Sequence, residues 1–428
     1  MSLNMKSYRD IFHGECEQLQ NMCESITDCH HSTPAYMDKG KLVIRNFNIK
    51  GGRMLLDNIS FTDEEHFNQR VSRAKPESGD LIITREAPMG EVCIIPEGVE
   101  CCLGQRMVLI KPDLKKVDNE YLLYSLLSEY AQIQIGKSNG TGSIVSNLRI
   151  PLLKELLVPT KGLIVQQKIG NTLGVIDKKI ALNNKINAEL EAMAKLIYDY
   201  WFVQFDFPDA NGKPYKSSGG KMIYNEALKR EIPDGWKSGN CSDLFNFNPT
   251  LSIKRGMLSS HIDMNALPTS GFMTKKVKKK PFSGGMKFQN GDVVIARITP
   301  CLENGKTGLI SLLDENEIGF GSTEFIILRG QNFDLRCFGA CLARSEKFRR
   351  YAISKMTGTS GRKRVNYTAL ESYEMPIPDE VLLKKFEGII DPFFKKMTEN
   401  TKENQELTKL RDWLLPMLMN GQVTVNDS

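Results

Sequence analysis

The feature that most constrains this chain is an internal duplication with a period of about half its length. The segment Gly79-Asp80-Leu81-Ile82-Ile83-Thr84-Arg85 matches Gly291-Asp292-Val293-Val294-Ile295-Ala296-Arg297, and a proline, Pro88 or Pro300, follows each copy. Both segments predict a turn that leads into a buried strand. Because further matching segments follow in the same order, we expect two similar domains.

A helical pattern follows each copy. In the first copy, positions that advance by four and three residues form one seam, and they are Ile169, Leu173, Ile176, Ile180, Asn183, Asn187, Leu190, Ala194, Ile197 and Trp201. Adding 217 to each number gives Phe386, Ile390, Phe393, Met397, Asn400, Asn404, Leu407, Arg411, Leu414 and Leu418. Each pattern predicts a coiled-coil helix that carries two asparagines at its middle.

The central asparagines favour an antiparallel pairing of the two helices. In that arrangement Asn183 meets Asn404, and Asn187 meets Asn400. Asparagine in an apolar seam lowers stability but fixes the register, so these four residues are predicted to set the register of a spacer. The alternative is that each helix simply packs on its own domain.

The ends of the two seams also match in this arrangement. The predicted end pairs are Ile169 with Leu418 and Trp201 with Phe386. Two prolines interrupt the second helix, and proline in a helix interior removes a hydrogen bond. We therefore expect a kink at Pro392 or a late start near Asp391, and a frayed end near Pro416.

The predicted fold class is α+β, with two similar mixed α/β domains separated by two long antiparallel helices that form a coiled coil. The predicted segments are an N-terminal domain over 1–159, a long helix over 160–203, a linker and C-terminal domain over 204–378, and a second long helix over 379–422. The predicted strands are 42–44, 81–84, 92–95, 107–110, 293–297, 307–310 and 324–328. Shorter helices are predicted over 121–134 and 334–355.

Composition and charge indicate a globular protein with basic clusters. The 428 residues are 41% apolar and 25% charged, which suits two domains. Net charge is only +6, but basic residues concentrate in 275–280, 344–355 and 362–364, as expected of a surface that attracts phosphates. A solvated face is the alternative. No apolar run is long enough to cross a bilayer and no signal-peptide core is seen, so we expect a cytoplasmic protein.

Motifs for catalysis or metal binding are incomplete. Gly305-Lys306-Thr307 resembles the end of a phosphate-binding loop, but Pro300 occupies the place of its first glycine. Asp391-Pro392-Phe393-Phe394 lacks the second proline of the motif that holds a flipped adenine. The ten cysteines contain no CxxC pair. We therefore expect no catalytic residue and no metal site.

Several segments resemble the specificity subunits of Type I restriction-modification systems. These segments are Tyr198-Asp199-Tyr200-Trp201-Phe202, Phe205-Asp206-Phe207-Pro208, Ile232-Pro233-Asp234-Gly235-Trp236, and the paired turns 141–147 and 358–366. Each segment alone is weak evidence for the resemblance, but the order and duplication of the segments make the combination specific to this family. One departure is that the first turn has Ser143-Ile144-Val145 where the second has Arg362-Lys363, so its basic character is in doubt.

The resemblance implies a non-catalytic subunit that recognises DNA. In that family, two domains each read one half of an asymmetric bipartite target on double-stranded DNA, and the paired helices set the gap. Two methyltransferase subunits dock on the helices, and restriction subunits join the complex. The resemblance places S-adenosylmethionine, ATP and magnesium on those partners, with no cofactor on this chain.

Basic residues in the loops that flank strands are the candidates for DNA contact, because side chains at base edges read sequence. They are Arg45, Arg53, Arg85, Arg106 and Lys137 in the first domain, and Lys254, Arg255, Lys275, Lys276, Arg297, Arg362 and Arg364 in the second. For Arg85 and Arg297 the alternative is a structural salt bridge behind the repeated turn.

Three other functions remain open from the sequence. A complete restriction or modification enzyme would need cofactor and nuclease motifs that are missing here. A stand-alone bipartite DNA-binding regulator would bind its operator tightly without partners. The recognition subunit of another multisubunit restriction class would differ only in its partner genes.

Overall fold

The computed structural model describes residues 12, 14–56, 58–137, 147–275, 277–359 and 361–425. The chain divides into two compact units, the first comprising residues 1–179 and 407–428 and the second residues 180–406. Both divisions fall inside long helices. The first unit is therefore built from two separate stretches of the chain, and the second unit from one continuous stretch.

The first unit contains two main sheets and a group of short helices. Its strands are Cys16–Gln18 (β1), Cys23–Asp28 (β2), Lys41–Ile44 (β3), Ile49–Lys50 (β4), Arg53–Met54 (β5), Ser60–Thr62 (β6), Leu81–Thr84 (β7), Val92–Ile94 (β8), Cys101–Leu103 (β9), Met107–Pro112 (β10) and Leu157–Pro159 (β11). Its helices are Glu64–Val71 (α1), Asn119–Leu127 (α2), Glu129–Lys137 (α3) and Ile150–Lys154 (α4), followed by the start of the long helix Leu163–Tyr198 (α5). One sheet has the order β2-β10-β7-β8 and the other β6-β3-β9.

The central strand β7 is buried along its whole length. Successive side chains of a strand point to opposite faces, so its residues divide between two cores. Leu81 and Ile83 pack with α2 residues such as Leu122. Ile82 packs with Ile44 in a second core. Burial on both faces explains why the sequence reads as a continuous apolar run without alternation.

The second unit repeats this arrangement. Its strands are Met222–Asn225 (β12), Arg230–Pro233 (β13), Lys237–Asn240 (β14), Phe245–Phe247 (β15), Leu258–Ile262 (β16), Lys278–Pro281 (β17), Met286–Phe288 (β18), Val293–Ala296 (β19), Thr307–Leu309 (β20), Gly319–Gly321 (β21), Phe325–Gly330 (β22) and Glu374–Ile377 (β23). Its helices are Arg336–Arg344 (α6), Glu346–Ser354 (α7) and Tyr367–Glu371 (α8), followed by the long helix Glu380–Met419 (α9).

The strand orders confirm the predicted duplication. The sheet β15-β22-β19-β20 corresponds to β2-β10-β7-β8, and β17-β16-β21 corresponds to β6-β3-β9. A parallel strand pairing also recurs, between β3 and β9 in the first unit and between β16 and β21 in the second. The extra strand β18 extends the second of these sheets.

Each predicted short helix consists of two helices separated by a serine. Ser128 lies between α2 and α3, and Ser345 lies between α6 and α7, both with extended backbone. The Ser128 hydroxyl accepts from the backbone N–H of Ala131 at 3.4 Å, and Ser345 accepts from Phe348 at 3.3 Å. A serine that caps the next helix ends the preceding one, which the apolar pattern alone does not reveal.

The long helices are continuous, with 36 residues in α5 and 40 in α9. The predicted late start of α9 near Asp391 is wrong, because the helix begins at Glu380 and contains Pro392. Burial of Phe386, Ile390 and Phe394 on both sides of this proline offsets the lost hydrogen bond, which costs about 3 kcal/mol. The helix also passes Pro416, so the predicted frayed end is not seen.

Within the second unit, the two helices pair antiparallel through their asparagines. Asn183 Nδ2 donates to Asn404 Oδ1 at 3.0 Å, and Asn400 Nδ2 donates to Asn187 Oδ1 at 2.9 Å. Both predicted pairs are therefore confirmed. Asn183 also donates to Glu403 at 2.7 Å, so the buried amide is satisfied by two acceptors.

The end pairs of the seam are also confirmed, each within its own unit. The rings of Trp201 and Phe386 lie 5.7 Å apart in the second unit. Ile169 and Leu418 share the core of the first unit. The seam residues named from the sequence are all buried or half-buried. The helices thus run in opposite directions within each unit.

Candidate nucleic-acid interface

The repeated Gly-Asp turn has a structural role in both units. The Asp80 carboxylate lies 3.4 Å from Lys111 Nζ on the neighbouring strand β10. Asp292 makes the corresponding contact with Nε and Nη2 of Arg329, at 2.7 and 2.8 Å. Burial raises the pKa of each carboxyl, although hydrogen bonds from the turn and the basic partner oppose the shift. These contacts explain why both copies carry an aspartate at this position of the turn.

Arg85 follows β7 and is engaged inside the first unit. Its guanidinium donates to both Asp28 oxygens, at 3.0 and 2.8 Å, and also to Asn147 Oδ1 and the Leu148 carbonyl. Only 13% of the side chain is exposed. The salt bridge considered from the sequence is therefore present for Arg85, and its contact with DNA stays a prediction.

Arg297 occupies the matching position in the second unit but has different surroundings. Its backbone hydrogen bonds to Glu324 and Val365 hold the loop after β19. Its Nε is buried without a hydrogen-bond partner among the residues that the structure describes. Within that part of the chain, no carboxylate takes the role that Asp28 has for Arg85. The Arg297 guanidinium therefore has fewer internal hydrogen-bond partners than the Arg85 guanidinium.

Two further arginines lie near the loop after β7. Asn46 Nδ2 donates to the carbonyl of Ala87 at 2.7 Å, which brings Arg45 to this loop. Arg106 Nε lies 3.1 Å from Glu86, and 52% of the Arg106 side chain is exposed. The structure thus brings Arg45, Arg85 and Arg106 together at one end of the first unit.

The helix that carries Lys137 packs against the same loop. It is the last residue of α3, and Gln132 on that helix donates to the Gly90 carbonyl at 3.0 Å. The turn 138–146, which includes Ser143-Ile144-Val145, is outside the described residues.

Arg53 lies apart from this group. Its guanidinium donates to the Asp177 carboxylate of α5 at 3.0 Å, and Asp177 also accepts from Tyr124 and Arg411. Burial and the neighbouring Asp177 raise the pKa of Tyr124. Because the guanidinium binds the long helix, the geometry favours a structural role for Arg53.

In the second unit, the basic turn lies against the loop after β19. The backbone N–H of Thr299 donates to the Lys363 carbonyl at 3.0 Å. Arg364 makes a bidentate salt bridge with Glu324, in which Nε and Nη2 lie 2.7 to 2.9 Å from the carboxylate oxygens. Arg362 is exposed. The structure therefore brings Arg297, Arg362 and Arg364 together, as it does the three arginines of the first unit.

The remaining predicted residues of the second unit are dispersed. Lys254 and Arg255 lie on an exposed turn that leads to β16. The Lys275 side chain is exposed, and its carbonyl accepts from Gln405 of α9 at 3.5 Å. Lys275 is therefore beside the paired helices. Lys276 lies outside the described residues.

The two motif fragments have structural roles. Lys306 Nζ donates to the Met264 carbonyl, and Thr307 begins β20, so this fragment is a turn that enters a strand. Asp391 lies inside α9 and forms a salt bridge with Arg336 at 3.0 Å. Both fragments thus belong to regular structure, the first at the start of a strand and the second in the interior of a helix.

The part of the chain that the structure describes contains no cluster of three or more His, Cys, Asp and Glu residues that could hold a metal ion. None of its helices combines the length and the hydropathy needed to span a bilayer.

Two aromatic residues near Arg45 were missed by the sequence analysis. Tyr36 and Phe47 are 44% and 47% exposed, and both rings contact the Arg45 guanidinium. The sequence criterion was a basic residue in a loop that flanks a strand, and aromatic side chains do not meet it. Only the fold shows that the three residues form one surface.

Comparison with known proteins gives one consistent family. The model described as the Type I restriction modification DNA specificity domain matches residues 37–192 and 233–409. The chain is 23% identical over 365 residues to the Type I restriction enzyme MjaIX specificity subunit of Methanocaldococcus jannaschii, covering 82% of this chain and 78% of that protein. It is 33% identical over 207 residues to the EcoAI specificity subunit of Escherichia coli, covering 46% of this chain and 34% of that protein.

A solved structure shows the same fold. The crystal structure of the Type-I restriction-modification S subunit from M. genitalium matches with a TM-score of 0.58 and 17% sequence identity. The match covers 100% of this chain and 99% of that one.

Proposed function

The chain belongs to the Type I restriction modification DNA specificity family, and from this premise we propose that it is the non-catalytic subunit that reads a bipartite DNA target. The observation that carries the proposal is the duplicated loop after the central strand. Arg45, Arg85 and Arg106 gather at this loop in the first unit. Two similar basic surfaces suit two different half-sites, since side chains at base edges read sequence.

The long helices supply the proposed spacer. A helix of 36 residues is about 54 Å long, which exceeds one turn of the DNA double helix. The asparagine pairs of the second unit fix the register of α5 against α9. A fixed register makes the length of the unread gap reproducible.

The outer face of α5 supplies the proposed docking surface for methyltransferase subunits. Leu182, Met193 and Leu196 are 52%, 48% and 66% exposed. Steps of eleven and three residues put these side chains on one face of a helix. Exposed apolar residues in a row support a protein partner, because burying them is favourable.

The proposed complex also contains restriction subunits. In this proposal S-adenosylmethionine binds to the methyltransferase subunits, and ATP and magnesium bind to the restriction subunits. The role of this chain is to bind double-stranded DNA and its partners.

Co-expression with a methyltransferase subunit of a Type I restriction-modification system tests the proposal. We expect the two proteins to copurify and to methylate adenines in a motif of two short half-sites separated by a fixed gap. Methyltransferase without this chain is the control, and it should methylate no defined motif. Methylation by this chain alone would instead indicate an enzyme.

Two other candidates make different predictions in the same experiment. A stand-alone regulator would bind one operator tightly without methyltransferase. The recognition subunit of another restriction class would direct cleavage on both sides of its site.

A further inference from the structure

The structure places one arginine against two exposed aromatic rings. Arg45 directly follows β3, and its guanidinium carbon lies 5.0 Å from the ring centre of Tyr36 and 4.7 Å from that of Phe47. Its hydrogen bonds within the described chain are formed by its backbone, with Asn48. The guanidinium N–H groups therefore keep their donor capacity.

The surface around this arginine is apolar and exposed. Tyr36 and Phe47 are 44% and 47% exposed. Contiguous exposed apolar groups are unfavourable in water and mark binding surfaces. The cluster Tyr36, Arg45 and Phe47 is called the aromatic clamp below.

The aromatic clamp is fixed to the rest of the candidate interface. Asn46, next to Arg45, donates to the Ala87 carbonyl in the loop after β7. The stem of Arg45 also faces Gly104, where an added Cβ would lie 3.4 Å from the Arg45 Cγ. Arg106 follows Gly104 by two residues and is half exposed. These contacts hold the clamp beside the other arginines.

The second copy of the fold carries a different residue at this position. Ile44 pairs with Leu103 in the first unit, and Ile262 pairs with Gly321 in the second. The residue after Ile262 that corresponds to Arg45 is Asp263. Positions that maintain the fold, such as the repeated Gly-Asp turn, are identical in both copies. A change from a cation to an anion at an equivalent position is expected where the two units bind different ligands.

We propose that the aromatic clamp is a guanine-binding site, in which Arg45 donates two hydrogen bonds to the O6 and N7 atoms of a guanine in the major groove. This inference rests on the proposed function and assigns the substrate of one site within it. Arginine is the side chain that most often recognises guanine, because its planar N–H edge matches these two acceptors. Aromatic rings against the guanidinium hold that edge in place before DNA binds, which lowers the entropy lost on binding.

The apolar neighbours favour a base over a phosphate. A phosphate contact needs only a cation in a polar surface and gains nothing from Tyr36 and Phe47. The major groove presents flat base edges and thymine methyl groups, which apolar side chains contact favourably. The exposed clamp therefore matches a base edge better than it matches the DNA backbone.

Substitution of Arg45 in the assembled methyltransferase complex tests the proposal. Arg45→Lys keeps the positive charge but removes the planar pair of donors, and Arg45→Ala removes both. Methylated sites would be mapped by sequencing DNA that carries all bases at each target position. For the wild type we expect a G·C pair at one position of one half-site. In both variants, discrimination at that position should fall by about tenfold or more, with the other half-site unchanged.

Matched controls separate the outcomes. Lys115→Ala removes one exposed positive charge elsewhere in the first unit and should leave the motif unchanged. An unchanged motif in both Arg45 variants would overturn the proposal. So would a uniform loss of binding in Arg45→Ala that Arg45→Lys restores, because that result indicates a phosphate contact. If the wild-type complex methylates no defined motif, the proposed function itself fails.

Aromatic substitution gives a second readout. Tyr36→Leu with Phe47→Leu keeps apolar side chains but removes the rings that hold the guanidinium. We expect weaker discrimination at the same position of the motif, with an unchanged thermal unfolding midpoint. Unchanged discrimination in this variant would show that the rings do not preorganise Arg45.

Discussion

Arg411 of α9 donates a hydrogen bond to Asp177 of α5 at 2.9 Å, and Arg53 of the hairpin β4-β5 donates to the same carboxylate at 3.0 Å. The Asp177 side chain is 17% exposed. One acidic group thus joins both long helices and a hairpin within the first unit. This arrangement leads to the first prediction.

Asp177→Asn should destabilise the first unit by about 2 kcal/mol, because two arginines lose their charged partner in a half-buried site. The measurement is the urea midpoint of unfolding. Asp412→Asn is the matched control, since Asp412 also contacts Arg411 but is 60% exposed. The control should shift stability by less than about 0.5 kcal/mol. Equal effects of both changes would contradict a special role for Asp177.

Asn183→Leu alone should destabilise the helix pair by about 1 kcal/mol, because it removes the hydrogen bonds to Asn404 and Glu403. Combining it with Asn404→Leu should restore or raise stability, since leucines pack favourably in a seam. The cost of this double change should be a looser register. Methylation mapping in the assembled complex should then show more than one gap length, and a single unchanged gap would argue against the register role.

Arg362→Ala should weaken DNA binding and reduce the slope of log affinity against log salt by about 1, as expected for one phosphate contact. Arg362 is exposed, whereas Arg364 is held by Glu324. Arg364→Ala should therefore have the smaller effect on the slope. Binding of the assembled complex to its target at several salt concentrations measures both. An unaltered slope for Arg362→Ala would remove it from the interface.

Glu317→Gln should make the free energy of unfolding depend less on pH in the acidic range. Burial alone would raise the pKa of Glu317, but hydrogen bonds from Lys279 and Ser260 outweigh it and lower the pKa to about 2. A lowered pKa stabilises the fold above about pH 4.5, and this contribution is lost as the pH falls towards 2. Urea unfolding between pH 3 and pH 6 measures the effect. The exposed Glu315→Gln is the control, and identical profiles for the wild type and Glu317→Gln would refute the prediction.

Leu196→Asp should weaken copurification with methyltransferase by tenfold or more without unfolding the chain, because it puts a charge on the proposed docking face. Leu196 is 66% exposed. Leu114→Asp is the matched control, because Leu114 is 63% exposed but lies outside the long helices. Equal recovery of methyltransferase with both variants would exclude this face of α5.

Regular patterns in the sequence predicted the helix pair closely. The seam of α5 and α9 depends on spacing along one helix, and the asparagines mark its register, so Asn183 and Asn404 could be paired without coordinates. The continuity of α9 through Pro392 could not be predicted in the same way. Pro392 argues locally against a helix, and the packing of Phe386 and Ile390 that outweighs it is a tertiary effect.

The candidate interface was only partly predictable. Arg85 was found through the repeat, but its partner Asp28 lies 57 residues earlier in the chain. Whether an arginine binds an internal carboxylate or faces solvent depends on this long-range contact. For the same reason the sequence did not distinguish Arg53, which binds Asp177, from Arg106, which is exposed.

The first unit includes residues from the C-terminal end of the chain, and this affects its folding during synthesis. Leu418 and Met419 belong to the same buried core as Leu81 and Tyr121. A ribosome that has translated residues 1–179 must still translate roughly 240 more before these side chains become available. At about 5 to 20 residues per second this interval is on the order of 10 to 50 seconds. During this interval the core of the nascent first unit is incomplete. Chaperones then have their longest opportunity to bind it.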